Sequence, residues 1–255
     1  MKNILLSIKE IINSGKKAAL CIIIETKGSS PRKTGSKMIV FEDGSQEGTI
    51  GGGSLELKVI DDALEVITKG IPAKFSYELD DDLSMNCGGD AEVYIEPVLP
   101  QQQLFIFGSG HIGKALVRYA PDFGFAITII DNREGLDKEF DQNKIRFLNI
   151  EYIEAAKEIE FTEQSFIVIV TPKHAYDEDV LAICAKKQFA YLGMIGSKNK
   201  VALARKRMLS ENILTEEELD KVDMPIGIKF NAQTPEEIAI SILAKLIDRK
   251  NRKNL

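Results

Sequence analysis

The sequence predicts an α/β protein in two parts, a smaller β-rich α+β domain followed by a doubly wound parallel sheet. Three observations predict it. A short apolar run, Leu104-Phe105-Ile106-Phe107, leads without a gap into Gly108-Ser109-Gly110-His111-Ile112-Gly113, and Ile112, Ala115, Leu116, Tyr119 and Phe123 then recur at helical spacing. A second apolar run over 125–130 ends in Asp131, 23 residues beyond Gly108. From there strand-like and helix-like segments alternate, whereas strand patterns dominate before residue 98. Strand, glycine turn, helix, strand and acid make the dinucleotide-binding fingerprint of a Rossmann-like domain. In that fingerprint Gly108 allows the tight turn, Gly110 admits a pyrophosphate to the backbone, and Gly113 lets the helix pack on the strand. Asp131 is expected to accept hydrogen bonds from ribose hydroxyls and to repel a 2′-phosphate, which favours NAD over NADP. His111 is expected to position the turn rather than to titrate.

Bulk properties exclude several classes. At 255 residues the chain allows one large or two ordinary domains. A net charge of −6 gives no reason to expect nucleic acid or an anionic membrane as partner. No apolar run approaches the roughly 20 residues that span a bilayer. The first residues soon become charged and read as an amphipathic helix rather than a signal peptide, so a cytoplasmic protein is expected. Three scattered cysteines give no disulfide framework, and with two histidines no zinc site is expected.

The elements follow in order. Ile4, Leu5, Ile8, Ile11 and Ile12 form one face of a helix over about 3–14, stopped near Gly15. Residues 18–25 read as a buried strand with Cys21 in the core. The loop 26–37 carries, from Lys27 to Lys37, four basic residues, four hydroxyls and no acid. It is either a solvated hairpin connection or an anion site containing Ser30 and Arg32. Residues 38–42 form the next strand, turned by Asp43-Gly44. Gly48-Thr49-Ile50-Gly51-Gly52-Gly53-Ser54 then leads into a helix ending near Gly70, with Ser54 as its expected N-cap. The cluster is either a strained strand-to-helix turn or a ligand site offering backbone N–H groups. Residues 74–79 and 91–96 read as strands. Between them Cys87 sits beside Gly88 and Gly89, as an ordinary loop cysteine or an exposed thiolate. The prolines and glutamines of 97–103 mark the natural linker, taken as 98–103, giving domains at 1–97 and 104–255.

In the second half, strands are expected at 145–148, 165–170 and 189–192, and helices at 151–160, 177–187 and 198–212. Cys184 falls in the helix core. Two turns end strands where ligands bind in such folds: 171–174, carrying His174, and 193–197, carrying Gly193, Gly196 and Ser197. His174 is either a general acid or base, or anion ligand, or a surface histidine. Thr234-Pro235-Glu236-Glu237 is a strong start for the terminal helix.

Together the segments Gly28-Ser29-Ser30-Pro31-Arg32, Gly51-Gly52-Gly53-Ser54-Leu55-Glu56, Cys87-Gly88-Gly89, the Gly108 turn, Gly193-Met194-Ile195-Gly196-Ser197 and Thr234-Pro235-Glu236-Glu237 resemble the xanthine dehydrogenase accessory factors, the XdhC/CoxI family. The resemblance covers nearly the whole chain. It implies a small N-terminal domain, a Rossmann domain, and a maturation chaperone rather than an enzyme. Such a chaperone binds molybdenum cofactor (molybdopterin), supports its sulfuration with a cysteine desulfurase and delivers it to a xanthine dehydrogenase-type molybdenum hydroxylase. The motif residues, Glu56 included, are implied as cofactor-binding, Cys87 as a candidate soft ligand to molybdenum, and a homodimer is expected. The alternatives are an NAD-dependent oxidoreductase and a nucleotide-sensing regulator built on the Gly108 turn.

Overall fold

The computed structural model describes residues 4–28, 32–79, 89–172 and 174–252. The chain divides between Gln101 and Gln102 into two compact units.

The N-terminal unit holds helix α1 (Ile4–Ser14), strands β1 (Ala18–Gly28), β2 (Lys37–Phe41) and β3 (Gln46–Gly48), helix α2 (Gly53–Lys69), and strands β4 (Ala73–Leu79) and β5 (Gly89–Val98). They form one antiparallel sheet in the order β3-β2-β1-β5-β4. Apolar residues occur at both parities of β1 because both faces of the sheet are covered. Ala19, Cys21 and Ile23 join Val59, Ala63 and Val66 of α2 in one core. Ala18 joins Ile11 of α1 and Val98 in another. Burial pushes the Cys21 thiol up to about 12. Gly70 ends α2 in the left-handed conformation, its N–H donating to the Val66 carbonyl.

The second unit contains β6 (Gln102–Phe107), α3 (His111–Tyr119), β7 (Phe125–Asp131), β8 (Ile145–Asn149), α4 (Tyr152–Glu158), β9 (Ser165–Ile169), α5 (His174–Cys184), β10 (Tyr191–Met194), α6 (Lys198–Ser210), α7 (Glu216–Asp220), β11 (Val222–Asp223) and α8 (Pro235–Arg252). Its six strands are parallel, in the order β8-β7-β6-β9-β10-β11. That is the 3-2-1-4-5-6 order of a Rossmann sheet, with its switch point between β6 and β9. Leu104 and Ile106 pack in one core with Leu116 of α3 and Ile242 of α8. Phe107 packs on the other face with Ala155 of α4, Leu181 of α5 and Val201 of α6. Cys184 is fully buried there, its thiol pushed up to about 12 by burial.

Several boundaries differ from the sequence expectation. Val98 still lies in β5 and Gln102 and Gln103 lie in β6, so the segment outside both strands is only 99–101. The Phe123 of the helical pattern lies beyond α3: a 3-10 turn over Ala120–Phe123, with Pro121 near its start, replaces the α-helix. The strand expected at 189–192 starts at Tyr191 and runs on to Met194, placing Gly193 inside it. β3, α7 and β11 were not expected from the pattern; the three are short.

Candidate functional site

Among the described residues, each unit brings a group of the motif residues together. In the N-terminal unit, residues of the hairpin between β1 and β2 and of the strand β3 line an open cavity of about 810 Å³. Arg32, Gly35, Ser36 and Lys37 line it from the basic loop, and Gly48 and Thr49 from the start of the second glycine cluster. Ile4 and Phe41 add apolar wall, and Glu47 adds a carboxylate that accepts from the Ser7 hydroxyl at 2.7 Å. The hairpin is held by Gly35 N donating to Ile23 O at 2.8 Å and Ile23 N to Ser36 O at 3.0 Å. Lys37 Nζ donates to Gly35 O at 2.9 Å, within the loop. Two segments about ten residues apart thus bring cations, hydroxyls and a glycine backbone to one hollow, an arrangement suited to an anion on a partly apolar molecule.

The glycine cluster beyond Thr49 holds an anion of its own. Glu56 is buried, and its Oε1 accepts from Thr49 Oγ1 at 2.5 Å and from the amides of Ile50, Gly51 and Gly52 at 3.0, 3.3 and 2.9 Å. Gln46 Nε2 donates to Oε2 at 2.9 Å. Gly51, Gly52 and Gly53 have φ of 146°, 82° and 63°, conformations that L side chains rarely adopt, so the turn itself requires them. Burial alone would raise the Glu56 pKa, but hydrogen bonds from Thr49, Gln46 and the amides of Gly52 and Ile50 hold it below the usual range. The amides of Gly51 and Gly52 therefore serve this carboxylate. Ser54 is not the N-cap: Gly52 takes that position, and Ser54 lies in the first turn. A carboxylate reaching back from inside the helix does the work expected of the serine hydroxyl.

In the second unit the Gly108 turn lies at the switch point. Gly108 N donates to Ile130 O, and Val170 N to Phe107 O, each at 2.9 Å. A Cβ on Gly108 would lie 2.3 Å from Val170 O, and one on Gly113 only 2.0 Å from Gly108 O. Both glycines are thus required by packing. Gly110 is different: its φ is −69° and nothing lies within 4 Å of a Cβ there. His111 opens α3 as an exposed residue.

Asp131 closes β7 fully buried. Its Oδ2 accepts from Ser109 N, Ser109 Oγ and Arg133 Nη2, each at 2.8 Å, and its Oδ1 from Arg133 N at 3.1 Å and Arg133 Nε at 2.8 Å. Burial would raise its pKa, yet the hydrogen bonds from Arg133 and Ser109 hold the carboxyl far below the usual carboxylate range. Arg133 was not singled out by the sequence reading. The signal was a cation two residues beyond the fingerprint acid.

The remaining motif residues are placed as follows. Gly193 lies inside β10, where a Cβ would sit 2.5 Å from Ile226 and 2.9 Å from the Tyr191 hydroxyl. A Cβ on Gly196 would sit 2.9 Å from Val201. Ser197 caps α6, its hydroxyl accepting from Lys200 N at 3.4 Å. Gly89 begins β5, paired with Gly28. Ser30, Cys87, Gly88 and the His174 side chain lie outside the described residues. Among the described residues no group of His, Cys, Asp and Glu could hold a metal ion, and no helix is long and apolar enough to cross a membrane.

Comparison with known proteins adds the following. Residues 104–246 match the XdhC Rossmann domain, and residues 11–78 match the XdhC and CoxI family. An uncharacterized protein of Escherichia coli K12, YqeB, is 34% identical over 91% of this chain and 43% of its own length. A Bacillus subtilis protein described as a probable xanthine dehydrogenase subunit is 27% identical over 63% of this chain and 46% of its own. The molybdenum cofactor insertion chaperone PaoD of E. coli K12 is 31% identical over 37% of this chain and 31% of its own. The chain spans less than half the length of these curated relatives. A crystal structure described as a xanthine dehydrogenase from Bacillus halodurans superposes with a TM-score of 0.52 at 22% identity, covering 97% of this chain and 96% of that one. That likeness shows a shared fold.

Proposed function

The chain belongs to the XdhC and CoxI family, and from that premise we propose that it binds a molybdenum cofactor as cargo during maturation of a xanthine dehydrogenase-type molybdenum hydroxylase. The observation that carries this reading is the cavity of about 810 Å³ between the basic loop and the start of the glycine cluster. It lies largely within the segment that matches the family, 11–78. Arg32, Lys37, Ser36 and Thr49 suit the phosphate of a pterin cofactor, and Ile4 and Phe41 offer apolar surface to its ring. The name of the PaoD relative, an insertion chaperone, supports the same role.

The finer steps belong to the proposal too. The chain holds the cofactor in the cytoplasm while a cysteine desulfurase supplies sulfur, and it acts as a homodimer. Cys87 enters on sequence grounds, as a thiolate soft enough for molybdenum. A chaperone of this kind needs no catalytic turnover, so no catalytic residue is assigned. The oxidoreductase and nucleotide-sensor alternatives are not favoured: both draw on the glycine turn alone, whereas the maturation reading draws on both family matches.

The test is a client hydroxylase produced with and without this chain. Without it, the hydroxylase should carry unsulfurated cofactor and little activity, and supplying the chain should restore both. Full sulfuration and activity in its absence would contradict the proposal.

A further inference from the structure

A Rossmann-like sheet implies a dinucleotide, and the residues here fit that group at one end and not at the other. They fit at the pyrophosphate end. Gly110 has an ordinary backbone conformation with open space where a Cβ would stand, so neither packing nor backbone strain requires glycine there. A ligand approaching the backbone would. They do not fit at the ribose end as the fingerprint expects, because Asp131 is buried and five donors from Ser109 and Arg133 fill both of its oxygens. A carboxylate offers about four lone-pair sites, so a ribose diol finds no vacant acceptor there.

What this end presents instead is Arg133. Its side chain is 47% exposed, and it reaches Asp131 through Nε and Nη2. Nη1 has no partner among the described residues, which leaves its N–H donors for a ligand. Asn149 Nδ2 donates to the carbonyls of both Asp131 and Arg133, at 2.9 and 3.0 Å, and so holds the backbone that aims the guanidinium. Glu139, a second carboxylate acting on Arg133, is itself paired with Lys114.

We propose that the crevice at the Gly108 turn takes an adenosine nucleotide bearing a 2′-phosphate, with Arg133 as the specificity-determining residue. Asp131 does not face the ligand in this arrangement; it orients Arg133 and ties it to the glycine turn. The inference rests on this unit alone and not on the cargo reading, so either can fail without the other.

The test is equilibrium binding of NADP⁺ and NAD⁺ to the full chain, with 2′,5′-ADP and 5′-AMP as short probes of the same end. The 2′-phosphorylated member of each pair should bind about tenfold tighter, the scale of one charge-assisted hydrogen bond. Arg133→Gln keeps an amide donor for Asp131 and should erase the difference, whereas Arg133→Lys should retain part of it. Should Arg133→Gln fold poorly, raising ionic strength on the wild type should narrow the gap between NADP⁺ and NAD⁺. Equal or tighter binding of NAD⁺, no binding of either, a preference unchanged in Arg133→Gln, or a gap insensitive to salt would overturn the proposal.

Discussion

Two carboxylates, Glu56 and Asp131, do the same physical work in different units: each is buried and accepts from the backbone of a glycine-containing turn. Removing such an acceptor leaves buried N–H groups without partners, which costs more than the hydrogen bonds themselves contribute. Glu56→Ala should therefore destabilise the N-terminal unit by about 2–3 kcal/mol, measured by denaturant unfolding, with Glu56→Gln recovering part of the loss. Asp131→Asn should cost a similar amount, roughly 2–3 kcal/mol, because Arg133 loses its charged partner. The pH dependence follows from the sign of the shift. The folded carboxyl titrates far below its unfolded value, so its contribution is complete above about pH 5 and falls away as the pH drops below about 4. The stability gap between wild type and Asp131→Asn should be flat from about pH 5 to 7 and shrink in acid; a gap that widens in acid would contradict this. The place of Asp131 was legible from the fingerprint spacing. Its partners were not, because whether an acid faces a ligand or its own loop depends on side chains such as Arg133 that no spacing rule weighs.

At the scale of elements, three glycines of one turn separate by what demands them. Gly108 and Gly113 are demanded by backbone packed against them, Gly110 by no such packing. Gly113→Ala forces a Cβ against the Gly108 carbonyl and should cost roughly 3 kcal/mol in thermal or chemical unfolding. Gly110→Ala meets nothing and should cost under about 1 kcal/mol, the difference between a glycine and an alanine N-cap, while weakening nucleotide binding. Thr234 shows a start signal read correctly: its hydroxyl accepts from Glu237 N at 3.2 Å, and Glu237 reaches back to Thr234 N at 3.1 Å. Thr234→Ala should lower stability by about 1 kcal/mol. The same capping box at Thr215 and Glu218 was missed, because the helix it opens is only five residues long and shows no apolar period. Long, periodic elements declared themselves in the sequence. Short ones such as β3 and β11 exist because a neighbouring strand offers them an edge, which is information the local sequence does not hold.

For the whole molecule, the alternation of strands and helices after Gly108 was enough to predict the parallel, doubly wound sheet, since parallel neighbours need crossover helices. The antiparallel sheet before it was legible as β-rich, but its order was not. Pairing β1 with both β2 and β5 depends on contacts distant in sequence. The candidate sites were legible to different degrees. The basic loop and the glycine cluster stood out by composition, but their sharing of one cavity, and the occupation of the Gly51-Gly52 amides by Glu56, emerge only once the chain is folded.

The central claim is that this cavity holds molybdenum cofactor. Its most direct test is equilibrium binding of the cofactor to the wild type, to the double variant Arg32→Ala/Lys37→Ala, and to Cys87→Ala. Wild-type binding should be tight, and the double variant should weaken it by at least about tenfold, the loss of charge-assisted contacts to a phosphate. Cys87→Ala should weaken it if the thiolate is a ligand, and cavity binding without that loss would remove only Cys87 from the account. A wild type that does not bind the cofactor, or a double variant that binds it as well as the wild type, would contradict the claim.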